Sequence, residues 1–354
     1  LSSPIKILSA KHIVILIKKV AKSIKIIPFF VETNYNICYN LCTGCEYINM
    51  KKDLLKISKK KIEDKINEIL DKEIEKYIEI LNSDDYDEKY SDNEFIKESI
   101  IELKRLSSGG KRVRGYLVKL GAMLFGKDDD SYIDLAAALE IFQTAILIHD
   151  DIIDEADKRR GLETINAKYK GHIGVSKAIC IGDLGFFISY RIINNSNISK
   201  ELKDEITTLH NTVNGEIIDV ELPLKDINYH KNMNDSIIYD IYLNKTAWYT
   251  IIGPILIGAA SASASTEDKE KLTVMGSYLG FQIKDDLLGL YSTSSSMGKT
   301  LNDVKEGKQT IIYKYAIDHA NCDELKIIDK YYGNPNISFN ETKMIADLFE
   351  KLGA

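Results

Sequence analysis

Two runs of aspartate interrupt apolar, helix-forming sequence: His149-Asp150-Asp151-Ile152-Ile153-Asp154 and Gln282-Ile283-Lys284-Asp285-Asp286-Leu287-Leu288-Gly289. On a helix, Asp150 and Asp154 share one face and Asp151 sits beside it. Neighbouring carboxylates repel one another unless a cation lies between them. An all-oxygen ligand set with no Cys or His partner selects a hard cation, Mg²⁺ before Zn²⁺. Mg²⁺ held by one or two carboxylates completes its shell with water and substrate phosphate. Ile146-Leu147-Ile148 precede the first run, and Phe281 and Ile283 flank the second. Carboxylates set among such residues are costly to bury without a cationic partner. The two runs point to a Mg²⁺ site for a phosphorylated substrate.

Basic residues beside glycines supply a phosphate cradle, because glycine lets the backbone come close and arginine grips phosphate oxygens in pairs. They occur in Gly109-Gly110-Lys111-Arg112-Val113-Arg114-Gly115, in Lys158-Arg159-Arg160-Gly161, and in the loop from Gly298-Lys299-Thr300 to Gly307-Lys308-Gln309-Thr310. Lys245-Thr246 opens a further apolar stretch. None of the glycine patterns fits a P-loop or a dinucleotide fingerprint, each of which follows a strand.

The order Gly-Gly-Lys-x-x-Arg, Gln-x6-Asp-Asp-x-x-Asp, Arg-Arg-Gly, Lys-Thr, Phe-Gln-x-x-Asp-Asp and Gly-Lys…Gly-Lys resembles the trans-isoprenyl diphosphate synthases, from about residue 105 to 311. The resemblance implies an all-α fold, an isoprenoid-synthase-type helical bundle around a deep central cavity, assembled as a homodimer. It implies an enzyme that ionises an allylic diphosphate with Mg²⁺, adds isopentenyl diphosphate to the cation and removes a proton. Asp150, Asp151 and Asp154 then match the residues that hold two Mg²⁺, and Asp285 and Asp286 those that hold a third. Arg159, Lys245 and Lys299 match contacts to the allylic diphosphate, and Lys308 the second lysine of the Gly-Lys pair. Lys111, Arg114, Gln143 and Arg160 match the isopentenyl diphosphate site. Thr246 and Gln282 match polar groups facing the developing cation. The released diphosphate takes the final proton, which leaves His149 a structural residue.

One position departs from the commonest pattern: Gly289 stands where many members carry a third Asp. That keeps in view a non-catalytic partner subunit of a heteromeric synthase, although such subunits usually damage the first run, which here is intact. A terpene cyclase is the other alternative, but cyclases generally lack the Lys111, Arg114 and Arg160 cluster. Members that stop at farnesyl commonly place aromatics four and five residues before the first Asp. Here those positions are Ile146 and the small Ala145, so the growing chain is expected to pass as far as Phe142. The expected product is geranylgeranyl diphosphate or somewhat longer.

Length and composition are consistent with one large helical domain. Only five prolines occur in 354 residues, and Pro223 and Pro254 are expected to end or kink helices, Gly253-Pro254 being the better kink. The net charge of −6 gives no support to nucleic-acid binding. The five cysteines form no secreted disulfide framework, so a reducing cytoplasm is expected. Hydrophobic periodicity predicts helices over 57–81, 94–106, 112–125, 131–155, 174–194, 199–221, 235–260, 267–292 and 308–320. An acidic loop is expected at 82–93 and a serine-rich turn at 292–296.

Residues 1–49 stand apart from the domain expected at 50–354. Ser23–Val31 reads as a strand, and Cys38, Cys42 and Cys45 after it resemble the iron–sulfur loop of radical S-adenosylmethionine enzymes. The barrel such enzymes need is nowhere in the later sequence. The segment is expected to be an extension or fragment, with Met50 the natural start of the enzyme. Six lysines among residues 5–27 argue against a transmembrane span there.

Overall fold

The computed structural model describes residues 48–82, 92–196, 210–276, 286–287, 289–290 and 302–354. The expected strand at 23–31, the three early cysteines and most of the acidic and serine-rich loops lie outside them. Among the described residues the only sheet is a two-stranded ribbon.

Helix α1 (Ile48–Leu81) begins earlier than its periodicity suggests and buries Ile62, Ile66 and Leu70, one per turn. Its Lys and Glu side chains face outward in pairs such as Lys65–Glu68. α2 (Asn93–Ser107) packs Ile100 and Leu103 into the same core. α3 (Val113–Leu124) follows the Gly-Gly-Lys-Arg turn, and α4 (Ile133–Ile153) runs through the centre. Its alanines 136–138, with Leu135, Leu139, Ile141 and Ile148, are buried among neighbouring helices. That is why it is apolar on every side rather than on one stripe.

β1 (Lys158–Arg159) pairs antiparallel with β2 (Leu162–Glu163) across Arg160-Gly161, both at positive φ, 53° and 80°. The ribbon folds the chain back over the end of α4. α5 (Ile165–Tyr169) and α6 (Gly171–Asn195) follow, α6 lying along α4. Both α4 and α6 are long and apolar enough to cross a membrane. Here they form the central pair of the bundle.

α7 (Asn211–Glu221) ends in a 3₁₀ turn that carries Pro223, as expected. α8 (Ile227–Asn232) and α9 (Ser236–Ile241) lead into the element least foreseen from sequence. Residues Tyr242–Ile252 form a π-helix, and α10 (Gly253–Ser261) resumes α geometry with Pro254 at its start. The stretch 235–260 is therefore not one kinked α-helix. Pro254 has no N–H to give and its ring crowds the carbonyl four residues back; the wider π winding before it accommodates both.

α11 (Thr266–Gly276) precedes the second aspartate run. α12 (Asn302–Glu306) lies within the Gly-Lys region, and α13 (Ile311–His319), α14 (Cys322–Tyr331) and α15 (Phe339–Leu352) follow it. α12, α14 and α15 are further helices beyond those the periodicity picked out. Capping boxes at Asn321/Glu324 and Ser338/Glu341 start α14 and α15, a signal present in the sequence. With α13 they enclose a second core around Tyr313, Ile317, Ile345 and Phe349.

Candidate active site

The end of α4 presents the first aspartate run. Arg159, brought back by the ribbon, donates from Nε to Asp151 Oδ1 at 2.5 Å and from a terminal nitrogen to Asp150 Oδ2 at 2.8 Å. α4 stops at Ile153, so Asp154 lies one residue past the helix, its N–H still bonded to Asp150 O at 2.8 Å. Burial pushes the Asp154 carboxyl up to about 6; Asp150 and Glu306 add to that, against Lys308 and Lys245. Burial also raises Asp151, against Arg159. The run is thus held by cations from other elements.

Lys245 lies within the π-helix rather than opening an α-helix. Its Nζ is 2.9 Å from Glu216 and 2.5 Å from Asp219, both on α7. These carboxylates outweigh the cost of burial and raise its pKa. α7 comes this close because a Cβ at Gly215 would stand 2.3 Å from the Lys245 backbone nitrogen. Sequence reasoning missed Glu216 and Asp219. Two acids three apart on a partly apolar helix, beside a glycine, are the same kind of signal that marked Asp150–Asp154.

Asp286 is 4% exposed and accepts a hydrogen bond from the Tyr242 hydroxyl at the start of the π-helix. The same hydroxyl oxygen accepts from the Ile311 N–H at 2.9 Å. Burial and the neighbouring Asp286 raise Tyr242 far above its ordinary pKa, so it stays a donor. Asp285, Gln282 and Lys299 lie outside the described residues. At Gly289 a Cβ would come within 2.1 Å of an Asp303 carboxylate oxygen. The space next to the missing third Asp is therefore filled by an acid from the Gly-Lys region.

Lys308 precedes α13, with Nζ 2.8 Å from Glu306. Its loop is pinned from behind: Tyr332 donates to the Lys308 carbonyl at 2.5 Å, and Gly333 N–H to the Val304 carbonyl at 2.8 Å.

Four arginines form a positive cluster beside the aspartates. Arg112, Arg159 and Arg114 all depress the Arg160 pKa, after burial, with Glu140 opposing. Arg112 is 3% exposed, sits at φ 56°, and reaches Glu63 and Glu140 at 3.5 Å each. Arg114 bonds Thr250 at 2.7 Å and stacks 4.0 Å over Tyr249, so it leans on the π-helix. Lys111 is exposed; Gln143 and Thr246 are half-buried. A cavity of about 10 Å³ lies between Thr144, Leu147, Asp151, Arg159 and Arg160.

The residues expected to wall the tunnel lie along α4. Ala145 is fully buried where α4 meets α6: a Cβ at Gly185 would touch its methyl at 3.0 Å. Phe142 meets Phe186 of α6, ring centroids 5.1 Å apart, and His149 packs edge-on against Phe186 at 5.3 Å. Ile146, half-buried, is on the same helix one turn before Asp150.

Among the described residues no three Asp, Glu, His or Cys side chains stand close enough to cage one ion. The donor set is nevertheless right for Mg²⁺, which takes one or two carboxylates and fills its remaining positions with water and phosphate. Asp150, Asp151, Asp154 and Asp286 are such donors. Cationic side chains stand against each member of the first run.

The polyprenyl synthetase family profile matches residues 98–351. A short chain isoprenyl diphosphate synthase of Methanocaldococcus jannaschii is 30% identical over 252 residues, 69% of this chain and 74% of that protein. A geranylgeranyl diphosphate synthase of Sulfolobus acidocaldarius is 31% identical over 250 residues, again 69% and 74%. The crystal structure of geranylgeranyl pyrophosphate synthase from Corynebacterium glutamicum, complexed with isoprenyl diphosphate and magnesium, aligns with a TM-score of 0.69. Its identity is 26%, and the alignment covers 82% of this chain and 85% of that one.

Proposed function

The chain belongs to the polyprenyl synthetase family, and we infer that it joins an allylic diphosphate to isopentenyl diphosphate by trans-prenyl transfer. It is a prenyltransferase whose relatives make geranylgeranyl and longer prenyl diphosphates. The observation that carries the reading for this chain is the convergence of the first aspartate run with Lys245, Lys308 and the arginine cluster.

Bound Mg²⁺ would supply charge neutralisation on the leaving diphosphate. Asp150, Asp151 and Asp154 are assigned to hold two such ions, and Asp286 with Asp285 a third. Lys245 and Lys308 face the same region and stabilise the negative charge that grows as the allylic C–O bond breaks. Arg159, which now bridges Asp150 and Asp151, is free to turn to the diphosphate once a cation takes over its carboxylates, and Lys299 is assigned to the same diphosphate. Lys111, Arg114, Gln143 and Arg160 are assigned to isopentenyl diphosphate, with Arg112 behind them as an internal ion pair. Thr246 and Gln282 are assigned to the face of the developing cation. The proton lost at the end passes to the released diphosphate. His149 is assigned no proton transfer, since its Nε2 lies 3.2 Å from the Ile179 carbonyl and its ring packs on Phe186.

We place the chain in the cytoplasm as a homodimer. Ile173, Phe187 and Tyr190 leave an apolar stripe on α6, 66%, 72% and 62% exposed, which suits a self-complementary contact. Cys180 and Cys322 are free thiols.

The test is incubation of the purified chain with Mg²⁺, farnesyl diphosphate and isopentenyl diphosphate. A product of C20 or longer that EDTA abolishes is expected. Asp150→Ala should lower turnover by at least ~10²–10³, the cost of losing one group that stabilises transition-state charge. Inertness alone, with activity on adding a second synthase chain, would favour a partner subunit instead.

A further inference from the structure

We propose that Tyr242 is the positioning residue for Asp286 and so sets the cation affinity of the second aspartate run. The proposal rests on the reading of Asp286 as a cation ligand. The hydroxyl is at a junction of three elements. Its ring belongs to the first residue of the π-helix, it donates to Asp286, and it accepts from the backbone N–H of Ile311, the first residue of α13. Tyr242 is 3% exposed and Asp286 4%, so water does not compete freely for either partner.

The tyrosine holds one oxygen of Asp286 and so orients the carboxylate plane. Without the hydroxyl, a buried carboxylate loses a charge-assisted hydrogen bond and is held less firmly. The backbone bond from Ile311 stops the hydroxyl from turning to another acceptor. Since Ile311 starts the helix just after Lys308, the same hydroxyl ties Asp286 to the start of that helix. Tyr242 touches no substrate in this assignment. It acts through Asp286, as the outer hydrogen-bond partner of a metal-bound carboxylate does.

The experiment compares wild type, Tyr242→Phe, Asp286→Asn and the double variant. Mn²⁺ binding in the presence of inorganic diphosphate is read by electron paramagnetic resonance, and melting temperature reports folding. Tyr242→Phe should weaken the diphosphate-dependent Mn²⁺ by about tenfold, the scale of a hydrogen bond to a charged group. The apparent Mg²⁺ requirement in turnover should rise in parallel, while the KM for the allylic diphosphate at saturating Mg²⁺ stays within about twofold. Asp286→Asn should weaken Mn²⁺ at least as much, and the double variant no more than Asp286→Asn alone, because the tyrosine acts only through that carboxylate.

If Tyr242→Phe fails to fold, Ile311→Pro replaces it. That change deletes the N–H while proline remains tolerated at the first helical position. The preceding Thr310 is already extended, at φ −92° and ψ 164°, as a residue before proline should be. A smaller weakening in the same direction is expected. Wild-type Mn²⁺ binding in Tyr242→Phe beside weakened binding in Asp286→Asn overturns the tyrosine's role alone. Wild-type binding in Asp286→Asn overturns the assignment of Asp286 and the proposal with it.

Discussion

Asp154 differs from Asp150 and Asp151 in what compensates it. Arg159 bonds the first two directly, whereas Asp154 stands beyond the helix end with two lysines near it and two acids opposing them. Its carboxyl is pushed up to about 6 by burial, then by Asp150 and Glu306. A carboxyl raised in the folded state favours folding while protonated. That contribution is full below the ordinary value of 3.8 and is lost as pH rises through about 6. Metal-free protein should therefore lose melting temperature between about pH 4 and 6 relative to Asp154→Asn, which has no such proton to lose. Mg²⁺ reverses the trend, since it binds the ionised form; its stabilising shift should grow over the same interval. Parallel thermal melts in EDTA and in Mg²⁺ measure both, and identical slopes for wild type and Asp154→Asn would refute the assignment.

Elements determine where these residues meet, and two contacts are testable at that level. Gly215→Ala places a methyl against the Lys245 backbone and forces α7 away from the π-helix. We expect about 1–3 kcal/mol of destabilisation, as for other overpacked contacts, with turnover falling more than substrate affinity; denaturant titration and kinetics measure the two. We assign product length to the α4–α6 seam. Phe142→Ala and Phe186→Ala should each lengthen the product, read by chromatography of the dephosphorylated alcohols. Ala145→Phe should chiefly destabilise the fold, because Gly185 leaves no room. Periodicity revealed α2, α3, α4 and α6 to within a few residues, and the aspartates and arginines were legible because charge in apolar helices is conspicuous. Other features depend on neighbours distant in sequence. The π-helix runs directly into Gly253-Pro254, and the approach of α7 to Lys245 leaves no local pattern.

At the scale of the whole molecule, the two largest of the four apolar clusters among the described residues lie around α4 and around α13–α15, and the site draws on residues beside each. The exposed α6 stripe belongs to the first. Phe187→Glu should leave the monomer folded by circular dichroism but shift sedimentation from dimer to monomer; an unchanged dimer would exclude this face. The second core matters differently. Residues 328–349 pin the loop that carries Lys308, through Tyr332 and Gly333. During synthesis the amino-terminal part of a domain emerges first, at about 5–20 residues per second. The α4 core with its aspartates can assemble on the ribosome while the loop opposite still lacks its support. A nascent chain of this protein would thus expose the carboxylates for seconds before the lysine that faces them is fixed, and catalytic competence would come only after Gly333 has left the exit tunnel.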